Sequence, residues 1–573
     1  MRKFFNFWLL ITRKEKISFF FIVFFYIFQA LLEMIGIAAV LPFVTFLLKP
    51  EALSDVPIIS EFINFKDIQF EGNIIIILCI IFFIVFLLKN LFILFTNKLT
   101  FNYVFLVRKR LFQDLLNKII HQNYIFFIDN GFSKISNILN TEVNNFSVNI
   151  IRPIINLTSE ILILLAIFFL IYITGYLNGL IFILPFILLI GVILKIINRS
   201  IKRWSNQRII SNEKLISLKL NLIHGIKEVL IYGKVNKIFE QISSVLKNLK
   251  DVDTKNNFVI HLPKIFLEQS LILIFIFIIL ILDYSGQSYE SIIITLSFYL
   301  VISYRLVPSF NKIFAAYQSL KYGQPSIPKI LEFHGLKEKN LFFKNNIHLP
   351  FNKTIELKNI DFNYTDEKNL IKNLNLKINK YDFIGIYGES GSGKTTLINI
   401  LINLLKIDKG KILVDENEIN NLEISRKYIN LFSIASQDTF LIEGTVKDNI
   451  IFGSGSNFSE KKMKEAIKFA RLEKFIETLD RGVDTFIGSS IKQLSSGQKQ
   501  RIGIARSIYC DREIFIFDEA TNALDKENEK IIIENIKKLK TKKTVIIISH
   551  RSDNLNICDK IYMAKDGILT NNK

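Results

Sequence analysis

The chain has 573 residues, 50% of them hydrophobic, with a mean hydropathy of +0.33 and a formal net charge of +20. This length allows two or three domains, and this hydropathy excludes an ordinary soluble protein. The excess of base fits membrane topology and anionic lipid better than nucleic acid. Three scattered cysteines, Cys79, Cys510 and Cys558, argue against a disulfide framework or a thiolate metal site and suit a reduced compartment.

Six apolar runs lie in the first half: Ile17–Leu48, Ile74–Phe95, Ile150–Ile173, Leu180–Ile197, Val259–Leu282 and Ile292–Ile302. All but the last approach the roughly 20 residues that cross a bilayer; Arg305 and Pro308 interrupt the last. The first follows Arg2, Lys3, Arg13, Lys14 and Lys16 and has no small-residue cleavage site, which favours a retained span over a signal peptide. The loop between runs two and three carries Lys98, Arg108, Lys109, Arg110, Lys118 and Lys134. The loop between runs four and five carries Arg199, Lys202, Arg203, Arg208, Lys214 and Lys219. The remaining connections lack such base, so both long loops and both termini are expected inside. Helical spacing in those loops predicts extensions of the spans, with tips near Asn123–Asn130 and Leu220–Tyr232 that can dock on the second domain. Gly323-Gln324-Pro325-Ser326 ends the last helix. The expected domains are 1–325, a helical membrane domain, and 326–573, an α/β P-loop ATPase domain.

The second half carries phosphate chemistry. Gly388-Glu389-Ser390-Gly391-Ser392-Gly393-Lys394-Thr395, followed by Thr396, stands between a buried-strand run (Tyr381–Tyr387) and a helix. Glycines let backbone N–H groups converge on phosphate oxygens, and the helix start adds its positive end. Lys394 is expected on the β- and γ-phosphates of ATP and Thr395 on Mg²⁺. Ile514–Phe517 is a second buried-strand run ending in Asp518, expected on Mg²⁺, and Glu519, placed to polarise the attacking water. Leu494-Ser495-Ser496-Gly497-Gln498 opens a helix whose N-terminus suits an anion.

That last segment resembles the signature of ABC transporters, usually Leu-Ser-Gly-Gly-Gln, with Ser496 in place of the first glycine. The acidic residue usual upstream is replaced by Gly488-Ser489-Ser490-Ile491. The resemblance implies further roles. Tyr364 stacks on adenine, Gln437 reaches Mg²⁺ and the water, Asn522-Ala523-Leu524-Asp525 crosses a dimer interface, and His550 senses the γ-phosphate. It also implies that the signature of one subunit (Ser495, Ser496, Gly497, Gln498) faces the P-loop of another. A homodimer is the simplest assembly and a heterodimer the alternative. Spans fused ahead of the ATPase resemble the exporter type, and no peptidase domain precedes the first span, which argues against a leader-processing peptide exporter.

Four bases fall within or beside the apolar runs: Lys89, Lys264, Arg305 and Lys312. Intramembrane bases are costly unless they face water or an anion, and arginine suits a phosphate; snorkelling at the interface is the alternative. The stretches Ser303–Lys312 and Leu262–Glu268 resemble bacterial lipid-linked oligosaccharide flippases. This implies a polyprenyl-pyrophosphate glycan as cargo, membrane lipid as partner and a bacterial inner-membrane location, with no nucleic acid involved. Lipid A, a peptide or a hydrophobic drug is the competing cargo. An amphipathic helix at Ser54–Phe65 would hold the cargo's tail.

Overall fold

The computed structural model describes residues 6–40, 73–174, 180–284, 289–337, 349–364, 370–389, 391–419, 422–454, 458–487, 494–550 and 552–571. The expected helix at Ser54–Phe65, the segment Gly488–Ile491 and Ser390 of the glycine-rich loop lie outside them. The chain forms two compact units. One comprises Met1–Ile120 and Asn130–Glu338; the other comprises His121–Asp129 and Lys339–Lys573.

The first unit is helical. Its long helices are α1 (Arg13–Ala38), α2 (Asn73–Ile120), α3 (Arg152–Thr174), α4 (Leu180–His224), α5 (Val235–Tyr284) and α6 (Tyr289–Gly323), followed by the short α7 (Ser326–His334). Among the described residues, four helical segments are long and apolar enough to cross a membrane: Arg13–Ala38, Cys79–Ile120, Tyr124–Ile173 and Val235–Phe277. The fourth and sixth expected runs fall in α4 and α6, much of the fourth beyond the described side chains.

Thr12 starts α1 with a capping box, its hydroxyl accepting from Glu15 N–H while its own N–H donates to the Glu15 carboxylate at 2.9 Å. Polar rungs then tie α1 to α2. Thr96 Oγ1 donates to Gln29 Oε1 at 2.7 Å, and the hydroxyls of Tyr26 and Thr100 lie 2.6 Å apart. Such bonds matter in a membrane domain, where lipid offers an unpaired polar group no substitute. The core of this unit packs Ala30 and Ile37 of α1 with Ile163 and Ile167 of α3, Leu267 of α5 and Phe298, Leu306 and Phe314 of α6.

Arg305 and Pro308 interrupt the last apolar run but not its helix, which ends at Gly323 as expected. Helix α6 runs continuously through both, as α5 runs through Pro263. Neighbouring helices make internal prolines tolerable in such a bundle. The break comes at Gly323, where an added Cβ would meet Ile150 Cδ1 at 2.8 Å and Asn149 Cβ at 2.9 Å. Helix α7 stays with the helical unit, so the two units divide between Glu338 and Lys339, after the expected boundary at 325/326.

The first expected tip belongs to the second unit, where Ile125 packs against the buried core. At the second tip the helix breaks at Gly225 and again near Gly233, leaving Leu230, Ile231 and Tyr232 exposed.

The second unit is α/β. Strands β1 (Thr354–Phe362), β2 (Ile371–Asn379), β4 (Lys409–Val414) and β5 (Asn417–Glu418) form an antiparallel sheet in the order β2-β1-β4-β5. A six-stranded sheet takes β3 (Phe383–Tyr387), β6 (Phe432–Ala435), β9 (Ile514–Asp518), β10 (Thr544–Ile548), β11 (Lys560–Lys565) and β12 (Ile568–Asn571) in the order β12-β11-β3-β10-β9-β6. The short strands β7 (Gly444–Thr445) and β8 (Phe486–Ile487) pair separately. β3, β9 and β10 are buried on both faces, as apolar runs without alternation dictate.

β11 and β12 are joined by Asp566-Gly567, with φ of 49° and 77° and Lys565 facing Ile568. This two-residue turn needs left-handed backbone at both positions, and Asp-Gly supplies it. The Gly567 carbonyl also accepts from Lys372 N–H at 3.1 Å, and a Cβ on Gly567 would overlap the Leu370 carbonyl. Gly567→Ala is therefore expected to destabilise the α/β unit by about 2 to 3 kcal/mol, read as a lowered unfolding midpoint of the purified protein.

Candidate functional site

The site is assembled by strand register. Ile548 of β10 pairs with Ile386 of β3 on one side and with Asp518 of β9 on the other. The three parallel strands therefore end level, and the segments leaving them emerge in a row: the glycine-rich loop, the Asp518-Glu519 pair and Ser549-His550. This is the carboxyl edge where open α/β sheets bind ligands.

Close approach fixes the loop. Gly391 and Gly393 have φ of 83° and 93°, and a Cβ on Gly388 would overlap the Ala564 carbonyl. Gly393 leads into helix α8 (Lys394–Leu401). Lys394 is buried, and its Nζ donates to the carbonyls of Gly388 and Glu389 at 2.8 Å each. Burial lowers its pKa, against the pull of Glu519 and Asp518. Ser392 Oγ is buried without a hydrogen-bond partner, a donor that a phosphate oxygen would satisfy. Thr395 is exposed and Thr396 buried. The Thr396 hydroxyl lies 3.4 Å from that of the half-exposed Tyr364, whose ring meets Phe362 edge to face at 5.0 Å.

Burial, reinforced by Glu519, raises Asp518 to a pKa of about 6, against the pull of Lys394 and His550. Glu519 has φ of 51°, in the left-handed region where a residue with a Cβ is strained. Three backbone contacts hold it: its N–H donates to the Ile548 carbonyl at 3.0 Å, and its carbonyl accepts from Asn522 N–H and from Gln500 Nε2. Its carboxylate is engaged at both ends, with Oε1 lying 2.6 Å from His550 Nε2 and Oε2 accepting from Asn522 Nδ2 at 2.8 Å.

Sequence reading passed over Gln500 and gave Asn522 no part in holding Glu519. Gln500 is buried on helix α9 (Ser496–Cys510). Its Nε2 donates to the carbonyls of Gln437 and Glu519, and its Oε1 accepts from Ala523 N–H at 3.0 Å. One amide thus joins three of the expected loops. The available signal was a glutamine one turn below Gly503 and Ile504 on the face that the helix buries. Gln437 itself is exposed.

Ser495 caps α9, its hydroxyl accepting from Gln498 N–H while the Gln498 side chain accepts from Ser495 N–H. Ser495 and Ser496 are both exposed, so the serine in place of glycine meets no steric obstacle in this chain. Gly497 differs: a Cβ there would lie 3.0 Å from the Ala523 carbonyl oxygen.

The four bases of the membrane helices have carboxylate partners that sequence reading did not name. Arg305 of α6 lies 3.2 Å from Glu33 of α1 and 3.7 Å from Glu160 of α3; Lys89 of α2 lies 3.6 Å from Glu33. Lys312 donates to Glu160 at 2.9 Å, and Lys264 lies 3.8 Å from Glu268 on its own helix. Both shared carboxylates are 6% exposed and Arg305 is 15% exposed, whereas the side chains of Lys264 and Lys312 are more than half exposed. Burial of Glu33 and Glu160 requires the bases, as an unpaired buried charge would be prohibitive.

Residues 371–522 match the ABC transporter family model. Over 66% of its length, the chain is 29% identical to the heterocyst differentiation ATP-binding protein HepA of Nostoc, covering 62% of that protein. A second match over 66% of the chain is 28% identical to the ATP-dependent lipid A-core flippase of Salmonella typhimurium and covers 65% of it. ABC transporter B family member 29 of Arabidopsis thaliana is 35% identical over 44% of this chain and 40% of its own. The chain thus spans between 40% and 65% of the length of these relatives. In fold it is similar to a bacterial Atm1-family ABC exporter solved with ATP bound, with a TM-score of 0.76 and 18% identity over 98% of this chain and 95% of that one.

The contrast between Ser496 and Gly497 is testable. Ser496→Gly is expected to change ATP turnover less than about threefold, while Gly497→Ala, which presses on the loop joined to Gln500, is expected to lower it at least about tenfold. Steady-state phosphate release by the purified variants decides between them.

Proposed function

With an ABC transporter ATPase domain behind a helical membrane domain of exporter fold, we propose that the chain is one half of an ATP-driven exporter that moves a phosphate-bearing lipid across its membrane. The observation that carries the ATPase part is the Glu519–His550 contact at 2.6 Å beside Asp518, level with the glycine-rich loop. Glu519, held on two sides, is the base that polarises the attacking water, and Asn522 and His550 are positioning residues that aim it. Lys394 trades the loop carbonyls for the β- and γ-phosphates, and Tyr364 stacks on adenine. Asp518, Thr395 and Gln437 are the residues that would hold Mg²⁺, which would neutralise charge on the phosphates. A carboxylate whose pKa is raised by burial and by the neighbouring Glu519 fits that ion.

The exposed start of α9 would complete the glycine-rich loop of a second copy, which makes a homodimer with two equal sites the simplest assembly. The exposed tip Leu230–Tyr232 and the segment His121–Asp129 are the elements through which ATP-driven closure would reach the spans. ATP must bind the closed state better than the open one for anything to move. The ATPase domain then lies in the cytoplasm, and for a bacterial chain the membrane is the inner one.

For the cargo, the bases on the membrane helices favour a lipid with an anionic head. The finer reading is a polyprenyl-pyrophosphate oligosaccharide, supported by the resemblance of Ser303–Lys312 and Leu262–Glu268. Lipid A is the second reading, favoured by similarity over two thirds of the chain to proteins named lipid A-core flippases.

Proteoliposomes holding only this protein are expected to flip a polyprenyl-pyrophosphate oligosaccharide with ATP. Glu519→Gln should retain nucleotide binding and lose at least about a hundredfold in turnover, with transport falling in step. Transport unchanged in Glu519→Gln would end the pump reading; flipping of lipid A but not of the oligosaccharide would select the second cargo.

Asp518 also sets a pH dependence. Its folded-state pKa, about 6, lies above the ordinary 3.8. Its contribution to stability without metal is therefore present below the ordinary pKa and lost as pH rises through about 6. Mg²⁺ needs the ionised form, so metal-dependent nucleotide affinity should fall about tenfold per unit below pH 6. Titration with a fluorescent nucleotide checks this, and the step should vanish in EDTA.

A further inference from the structure

Glu529 is a carboxylate of the α/β unit that is 6% exposed and has no part in the hydrolysis described above. It lies on helix α10 (Lys526–Lys537), which follows the Asn522–Asp525 loop. Asp525 caps this helix, its carboxylate accepting from Asn528 N–H at 3.2 Å, and the Glu529 N–H donates to the Asp525 carbonyl at 2.9 Å. Glu529 falls in the first turn, where the positive end of the helix eases the burial of an acid. That explains why the acid is tolerated, not why it is there. Glu529, Ile532 and Ile536 form the buried stripe of α10, a pattern that asks for an apolar residue at each position. A carboxylate in such a stripe is costly unless its bonds hold something.

Its partners lie on either side of the Glu519–His550 contact. Glu529 Oε1 accepts from Thr521 Oγ1 at 3.2 Å and from Asn554 Nδ2 at 2.9 Å. Thr521 is two residues after Glu519. Asn554 is four after His550, in the short turn Ser552–Leu555, whose Leu555 is buried close to Gly385 of β3. One oxygen thus ties the turn that leaves β9 to the turn that follows β10.

The tie stands where the backbone is strained. Glu519 is in the left-handed region, a conformation that persists only when its surroundings impose it. The bonds from Ile548, Gln500 and Asn522 act on Glu519 itself. The Glu529 bonds instead set how far the Thr521 turn stands from the Asn554 turn. With it they set the 2.6 Å between Glu519 Oε1 and His550 Nε2. A contact of this kind is largely lost when it lengthens by about half an ångström.

We propose that Glu529 is a positioning residue for ATP hydrolysis. By accepting from Thr521 and Asn554 through one oxygen, it holds Glu519 and His550 at hydrogen-bond distance, and it acts through them and not on the nucleotide. This deepens the reading of Glu519 as the base and rests on it.

The test is single-turnover hydrolysis of labelled ATP by the full chain in nanodiscs, beside binding of a fluorescent nucleotide. Thr521→Val keeps the shape and loses the donor; it is expected to slow hydrolysis at least about fivefold and leave nucleotide affinity within about twofold. Thr521→Ser keeps the donor and should stay within about twofold of wild type. Glu529→Ala should cost at least about tenfold, and adding Thr521→Val to it should cost no more than about a further twofold, because the bond is already gone. In a Glu519→Gln background, Thr521→Val should leave the residual rate within about twofold. Thr521→Val leaves Glu529 in place and so covers the case in which Glu529→Ala fails to fold. Loss in Glu519→Gln with no change in Thr521→Val would overturn the positioning role alone, as would an equal loss from Thr521→Val in both backgrounds, the mark of a purely structural bond. Wild-type hydrolysis by Glu519→Gln would remove the base reading and this proposal with it.

Discussion

Everything in the ATPase unit depends on three parallel strands that stop at the same height. Ile548 faces Ile386 on one side and Asp518 on the other, and this register brings a lysine, two carboxylates and a histidine to one edge. The sheet can hold it because those strands are apolar on both faces, so a slip would cost core packing as well as backbone hydrogen bonds. The electrostatic consequence is a crowded site. Two carboxylates are adjacent in sequence and largely out of water, and the pKa of Asp518 rises while that of Lys394 falls. A polyphosphate with its metal would supply both the negative groups that the loop's donors want and a positive charge to offset the crowding of Asp518 against Glu519.

The membrane unit solves a related problem differently. Glu33 and Glu160 would be prohibitive alone in a helical bundle, and each has a base from another helix. Arg305 touches both through one terminal nitrogen, so α1, α3 and α6 meet at one guanidinium. Charge pairing here does the work that hydrophobic contrast cannot do between helices in lipid.

Much of this was legible in the sequence, for reasons that differ by element. The glycine-rich loop, the Asp518-Glu519 pair and His550 were readable because their chemistry demands particular residue types in a fixed order, and the sheet brings them to one edge. The membrane helices were readable as apolar runs, and the end of α6 at Gly323 from the glycine and the prolines that follow it. The carboxylates opposite Arg305 were not readable either: Glu33 and Glu160 are single acids in apolar runs, and only folding brings them within reach of the base. Gln500 was missed for a similar reason. Its three partners come from loops far apart in the chain, and no spacing announces them.

That glutamine has a kinematic meaning. It sits one turn into the helix that Ser495 caps, and its amide grips the backbone at Gln437, Glu519 and Ala523. Those contacts leave little slack, for a bond stretched by half an ångström is largely lost. The start of α9 and the backbone that presents Glu519 must therefore translate together or part company. In the dimer proposed above, a partner pressing on the exposed serines would be felt at the carboxylate through this amide, so the timing of bond cleavage would follow how firmly the second copy is seated.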